Sequence, residues 1–97
     1  MLSKTTQNYA IRRGYEALDM SISGRDEFDE IPAVWVFEDD DEVEPAVIYR
    51  SNDDGGFTFY GTSWLDDAIK EELPATLRDE KHLREMINYL ASERKAA

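Results

Sequence analysis

Residues 33–60, AVWVFEDDDEVEPAVIYRSNDDGGFTFY, decide the fold. Three short runs within them are built from β-branched and aromatic residues: Ala33–Phe37, Ala46–Arg50 and Phe57–Tyr60. Such side chains fit a pleated surface, so each run is expected to be a strand. The first is apolar at every position, which suits a strand with neighbours above and below. Val34 and Val36 must point to one face of it, and Trp35 and Phe37 to the other. If helices cover one side only, one of those pairs is left open or meets a partner. Phe57 and Phe59 likewise share a face. The joints are EDDDEVEP, with Pro45 tolerated at a strand start, and SNDDGG, an Asn/Asp/Gly cluster that makes a hairpin turn. Both are short, so a three-stranded antiparallel meander is the economical topology.

Outward from this stretch the periodicity turns helical. Ile11, Tyr15, Leu18 and Ile22 stand at i, i+4, i+7 and i+11, which predicts a helix over 4–20. Ser3, Thr5 or Thr6 would cap it, Ser23-Gly24 would stop it, and Gly14 inside it would cost about 1 kcal/mol. Leu18, Met20 and Ile22 also alternate, so a strand over 17–23 competes with that reading. Residues 25–32, RDEFDEIP, form an acidic connection ending at Pro32. Beyond the strands, Ser63-Trp64-Leu65-Asp66 has the capping pattern, and Leu65, Ile69 and Leu73 keep helical spacing up to Pro74. Thr76-Leu77-Arg78-Asp79 repeats the pattern ahead of Leu83, Met86, Ile87 and Leu90, on a helix reaching about Glu93. The expected order is α-β-β-β-α-α, one α+β domain over 1–97 in which helices pack on the meander. The chain contains no repeat and no linker.

Charge is distributed unevenly. The 97 residues hold 22 acids and 11 bases, net −11. Residues 26–72 alone carry sixteen acids against Arg50 and Lys70, net −14, whereas 1–25 sum to +2 and 73–97 to +1. Solubility asks for a net charge magnitude of about 2–8 in a small domain, and a larger surplus strains the fold by self-repulsion. The balance excludes direct nucleic-acid binding, which needs clustered Lys and Arg. No apolar run approaches the ~20 residues of a membrane span, and MLSKTTQNYA lacks the apolar middle of a signal peptide. A cytoplasmic protein with no membrane partner is expected.

The residues do not assemble into a catalytic or metal-binding motif. Zero cysteines exclude disulfides, thiolate metal sites and cysteine nucleophiles. Asp39-Asp40-Asp41-Glu42 offers hard oxygen ligands for Ca²⁺ or Mg²⁺. An EF-hand count fails, however: with Gly56 sixth the first and fifth positions are Ser51 and Gly55, and with Gly55 sixth the first is Arg50. Consecutive acids on an extended chain also point to opposite sides. With so many acids in the middle of the chain, a glycosidase-like carboxylate pair carries no information. A serine nucleophile would need the only histidine, His82, which stands in KHLRE among charges. Gly55-Gly56 has no following lysine to hold phosphate. A non-enzymatic protein without catalytic residues, metal or cofactor is expected.

What remains is a binding surface. On an extended segment every second side chain falls on one side at ~6.8 Å pitch. Glu38, Asp40, Glu42 and Glu44 would form such a row, with Asp39 and Asp41 in the same loop and Asp53 and Asp54 beside it. Asp66, Asp67, Glu71 and Glu72 would be added from the short helix. Carboxylates at that pitch can stand in for backbone phosphates before a basic groove, with salt-sensitive, long-range attraction. In size and charge the chain resembles the acidic nucleic-acid-mimic inhibitors made by phages and mobile elements, of the anti-CRISPR or anti-restriction type. That resemblance implies an inhibitor in host-defence evasion that blocks the basic DNA- or RNA-binding surface of a partner protein or complex. Two alternatives fit the same acids: an immunity protein or antitoxin capping a basic toxin, and a solvated acidic halophile domain. Halophile acids would cover the whole surface, whereas both ends here are mildly basic. An uncovered sheet face could equally pair with another copy of the chain as a homodimer.

Overall fold

The first reversal of the chain is at Gly14. The structure, a computed structural model, describes residues 2–24, 30–39, 44–62 and 65–96. Helix α1 (Lys4–Arg12) starts at Ser3, whose Oγ accepts the Thr6 N–H at 3.3 Å. It ends in a turn in which Arg13 N–H donates to Ala10 O and Gly14 N–H to Ile11 O. Gly14 then takes φ +83°, a left-handed conformation open to glycine at little cost. The expected helix over 4–20 therefore stops at Arg12, and the following residues form strand β1 (Tyr15–Ser23). The stripe through Ile11, Tyr15, Leu18 and Ile22 does not exist: Ile11 is 61% exposed, and α1 buries Thr6 and Ala10 instead. The alternation of Leu18, Met20 and Ile22 was the governing period.

Strand β2 (Glu30–Glu38) pairs antiparallel with β1 along its whole length, from Tyr15 opposite Glu38 to Ser23 opposite Glu30. Pro32 lies inside β2 rather than ending a connection. It is tolerated because the pairing with β3 (Val47–Ser51) begins only at Ala33, opposite Arg50. Strand β4 (Phe57–Gly61) follows the 52–56 turn. There Gly55 takes φ +89°, Asn52 N–H donates to Gly56 O at 2.9 Å, and Gly56 N–H donates to Asp54 Oδ1 at 2.9 Å. Helix α2 (Asp67–Glu72) has Asp66 at its N-cap position. Ser63 and Trp64, read as opening the capping pattern, lie outside the described residues. Thr76 and Leu77 then form a short strand, β5, against β4, and Asp79 rather than Thr76 caps α3 (Glu80–Ala96) through a 2.9 Å bond from His82 N–H. The result is α+β, with three helices and one antiparallel five-stranded sheet in the order β1-β2-β3-β4-β5 among the described residues. The expected three-strand meander is its centre.

The sheet has two unlike faces. Tyr15, Ala17, Val34, Val36, Val47, Tyr49, Phe57 and Leu77 face the helices and pack with Leu73 and the α3 residues Leu83, Met86, Ile87 and Leu90 into one core. Full burial of each Val, Leu, Ile, Met or Phe side chain among them stabilises by about 1.5–3 kcal/mol. Tyr49 also donates its hydroxyl to Pro74 O at 2.8 Å, tying the connection that follows α2 to the sheet.

Candidate functional site

The acids read as one surface occupy separate places. The β2 end at Glu38 and the β3–β4 turn lie at opposite ends of the sheet, as a meander requires, so Asp53 and Asp54 do not stand beside Glu38, Asp39 and Glu44. The alternating row also loses its first member. Glu38 is still within β2, on the helix side opposite Tyr15, and its Oε1 lies 3.9 Å from Arg94 Nε. Burial and the Glu38 carboxylate push the Tyr15 phenol up in pKa against the lowering influence of Arg94, so these three groups form one local electrostatic unit. Asp39 is exposed and donates its N–H to Gly14 O at 3.0 Å, the carbonyl that also accepts Arg94 Nη1 at 3.1 Å. Glu44 is exposed; Asp40, Asp41 and Glu42 lie outside the described residues. Asp54 is committed to the hairpin turn through Gly56, whereas Asp53 is exposed at its tip.

The α2 acids are brought together. Asp66, Asp67, Glu71 and Glu72 are all exposed on one short segment that contains a single base, Lys70. Leu65, Ile69 and Leu73 hold that segment against the core. Glu72 approaches α3, where it lines a shallow groove with His82, Glu85 and Tyr89. Desolvation raises the Tyr89 phenol, and the Glu93 and Glu72 carboxylates raise it further. Three arginines stand elsewhere. Arg12 and Arg13 line a second groove with Asn88 and Ser92 at the far end of α1, where Arg13 Nε donates to Asn88 Oδ1 at 3.0 Å and its guanidinium stacks 3.6 Å over the Tyr9 ring. Arg94 belongs to the same corner through Gly14.

The second face of the sheet was foreseen only in part. Val34 and Val36 take the helix side, so Trp35 and Phe37 point away from it, their ring centroids 6.1 Å apart. Leu18, Met20 and Ile22 of β1 join them, as does Ile48 of β3. Ile22, Ala33 and Phe37 are buried yet stand outside the core cluster. Leu18, Met20 and Tyr60 are 37%, 42% and 56% exposed. No described helix contributes to this face. The signal for it was the shared parity of Leu18, Met20 and Ile22, which a helical reading of 4–20 hides.

His82 is half-buried in the first turn of α3, with Nδ1 accepting the Arg78 N–H at 3.1 Å. Among the described residues no group of three or more His, Asp or Glu side chains is placed to hold a metal ion. No helix among them is long and apolar enough to cross a membrane. Compared with protein-family models, curated proteins and solved structures, the chain matches none.

Proposed function

We propose that this chain is a non-enzymatic, acidic protein-binding inhibitor that works in the cytoplasm by occupying the basic DNA- or RNA-binding surface of a partner protein, as a nucleic-acid mimic of the anti-CRISPR or anti-restriction kind. The observation that carries this reading is the exposed acidic flank of α2. Asp66, Asp67, Glu71 and Glu72 project from a segment anchored to the core, and Glu93 of α3 joins Glu72 around Tyr89. Arg12 and Arg13 line a separate groove with Asn88 and Ser92. A fixed acidic flank on a polar molecule steers encounter with a basic groove and loses strength as salt rises.

The test is capture on the immobilised chain from lysate treated with nuclease, followed by elution with short DNA and RNA duplexes. Basic nucleic-acid-handling proteins, retained after nuclease treatment and displaced by duplex, are the expected result. Retention of one tightly held partner that duplex does not displace would move the reading to an immunity protein or antitoxin. No basic protein retained at low salt would overturn both.

A further inference from the structure

We propose that the groove between the end of α1 and α3, lined by Arg12, Arg13, Asn88 and Ser92, is an anion site that takes a phosphate dianion, free or as the monoester of a small molecule. The site stands apart from the acidic flank of α2 and does not depend on the protein-binding reading.

Every polar side chain lining the groove can donate a hydrogen bond. Arg12 and Arg13 bring guanidiniums, Asn88 an amide, and Ser92, one turn further along α3, a hydroxyl. Among the described residues no carboxylate lines the groove, although the chain holds 22 acids against 11 bases. The Arg12 and Ser92 side chains have no partner among the described residues. Asn88 uses only Oδ1 there, which accepts Arg13 Nε–H at 3.0 Å, so its Nδ2 donors stay open.

Arg13 is aimed in advance. Its guanidinium lies 3.6 Å over the Tyr9 ring while Asn88 holds Nε–H. Together these contacts fix the plane of the group and leave its two Nη atoms uncommitted, the edge that meets an oxyanion with two parallel bonds. The dipole of α1 accounts for positive charge at this helix end. It does not account for the direction, because the Ala10 and Ile11 carbonyls are already taken by the Arg13 and Gly14 N–H groups, and the Arg13 guanidinium reaches across to α3 instead.

Charge selects the anion. A carboxylate would neutralise one guanidinium and leave the other, whereas a phosphate monoester carries about −1.5 to −2 near neutrality and three acceptor oxygens. That matches two guanidiniums with two neutral donors beside them. Nucleic acid is a poor occupant, because its extended charge would be repelled by a chain of net charge −11.

The test is a titration followed by heteronuclear NMR at fixed ionic strength, with inorganic phosphate, methyl phosphate, acetate and a short DNA duplex as separate probes. Both phosphates are expected to give saturable shifts centred on Arg13 Nε–H and the Asn88 and Ser92 amides. Tighter binding of methyl phosphate assigns the site to an ester, and tighter binding of inorganic phosphate assigns it to the free ion. Asn88→Asp keeps the acceptor for Arg13 but places a carboxylate in the groove, and Arg12→Gln removes a guanidinium that has no partner to lose. Each should fold as wild type by far-UV circular dichroism and bind both phosphates at least about tenfold more weakly; Arg12→Gln decides alone if the aspartate disturbs the fold. Shifts that grow without saturating, acetate binding as tightly as phosphate, duplex binding more tightly than phosphate, or phosphate affinity unchanged in the folded variants would each overturn the proposal.

Discussion

Thr6 Oγ1 donates to Glu80 Oε1 at 2.6 Å, joining the first turn of α1 to the first residue of α3. The same carboxylate oxygen accepts the Ser3 N–H at 3.0 Å and the Ser3 hydroxyl at 2.9 Å, and Arg84 Nη1 donates to Thr6 Oγ1 at 2.9 Å. An acid from one helix thus satisfies orphan donors at the start of another, where the helix dipole also favours negative charge. Thr6, fully buried, is satisfied by the same clasp.

Burial alone would raise the Glu80 carboxyl, but the hydrogen bonds from Thr6 and Ser3, with the Arg84 guanidinium, outweigh it and hold its pKa below the ordinary glutamate value. A group whose pKa is depressed by folding stabilises the native state above its unfolded pKa, and that stability drains away as pH falls through the folded value. Glu80→Gln should therefore cost about 1–2 kcal/mol near neutrality, after allowance for screening at a partly exposed site. The gap to wild type should narrow as the solution is acidified below the usual glutamate range. Urea unfolding of both proteins in a pH series measures it; a gap constant down to strongly acidic pH would remove the clasp from the account.

Two glycines should respond differently from a third. A Cβ on Gly14 would be strained at φ +83° and would lie 3.1 Å from Arg94 Nη1, so Gly14→Ala should cost about 1–2 kcal/mol. A Cβ on Gly56 would fall 2.7 Å from Leu77 O, a backbone atom of the adjoining β5, and Gly56→Ala should destabilise at least as much by pushing β5 from β4. Gly55 has left-handed φ but open space, so Gly55→Asn should cost under about 1 kcal/mol. Thermal unfolding of the three variants ranks them, and equal losses at Gly55 and Gly56 would contradict the packing described.

Two leucines report the difference between the sheet's faces. Leu83 is fully buried in the core, whereas Leu18, on the other face of the sheet, is 37% exposed. Leu83→Ala should cost about 2–5 kcal/mol, and Leu18→Ala less than about 1 kcal/mol. Chemical denaturation of both settles it; comparable losses would mean that Leu18 is packed within the isolated chain.

The meander was legible because 33–60 combines β-forming runs with turns too short for anything but antiparallel neighbours. The N-terminal strand was ambiguous for a physical reason. Tyr15, Leu18 and Ile22 satisfy a helical period while Leu18, Met20 and Ile22 satisfy a period of two, and what decides is the left-handed turn at Gly14, a cost in the first reading and a requirement in the second. β5 has only Thr76 and Leu77, too short for any period to register. Among the candidate acids, the α2 group was legible because neighbours on a short helix stay neighbours in space. The fate of Glu38 was not, because its partner Arg94 arrives from the other end of the chain.

The α2 acids should be separable from stability. None is buried, and no hydrogen bond to the Asp66 side chain caps the helix. Replacing Asp66 and Asp67 by Asn and Glu71 and Glu72 by Gln removes four negative charges from a chain of net −11 while keeping shape and hydrogen-bonding capacity. Relief of self-repulsion should leave the melting temperature unchanged or slightly raised, although losing Asp67 from the first turn gives back about 0.3–1 kcal/mol of dipole stabilisation. Affinity for a captured basic partner should fall at least about tenfold, or about 1.4 kcal/mol. The loss should be largest at low ionic strength and shrink as the Debye length drops from about 30 Å at 0.01 M to about 8 Å at 0.15 M. Calorimetric titration at both ionic strengths measures this. A variant that melts normally and binds as tightly as wild type at low salt would place the working surface somewhere other than α2.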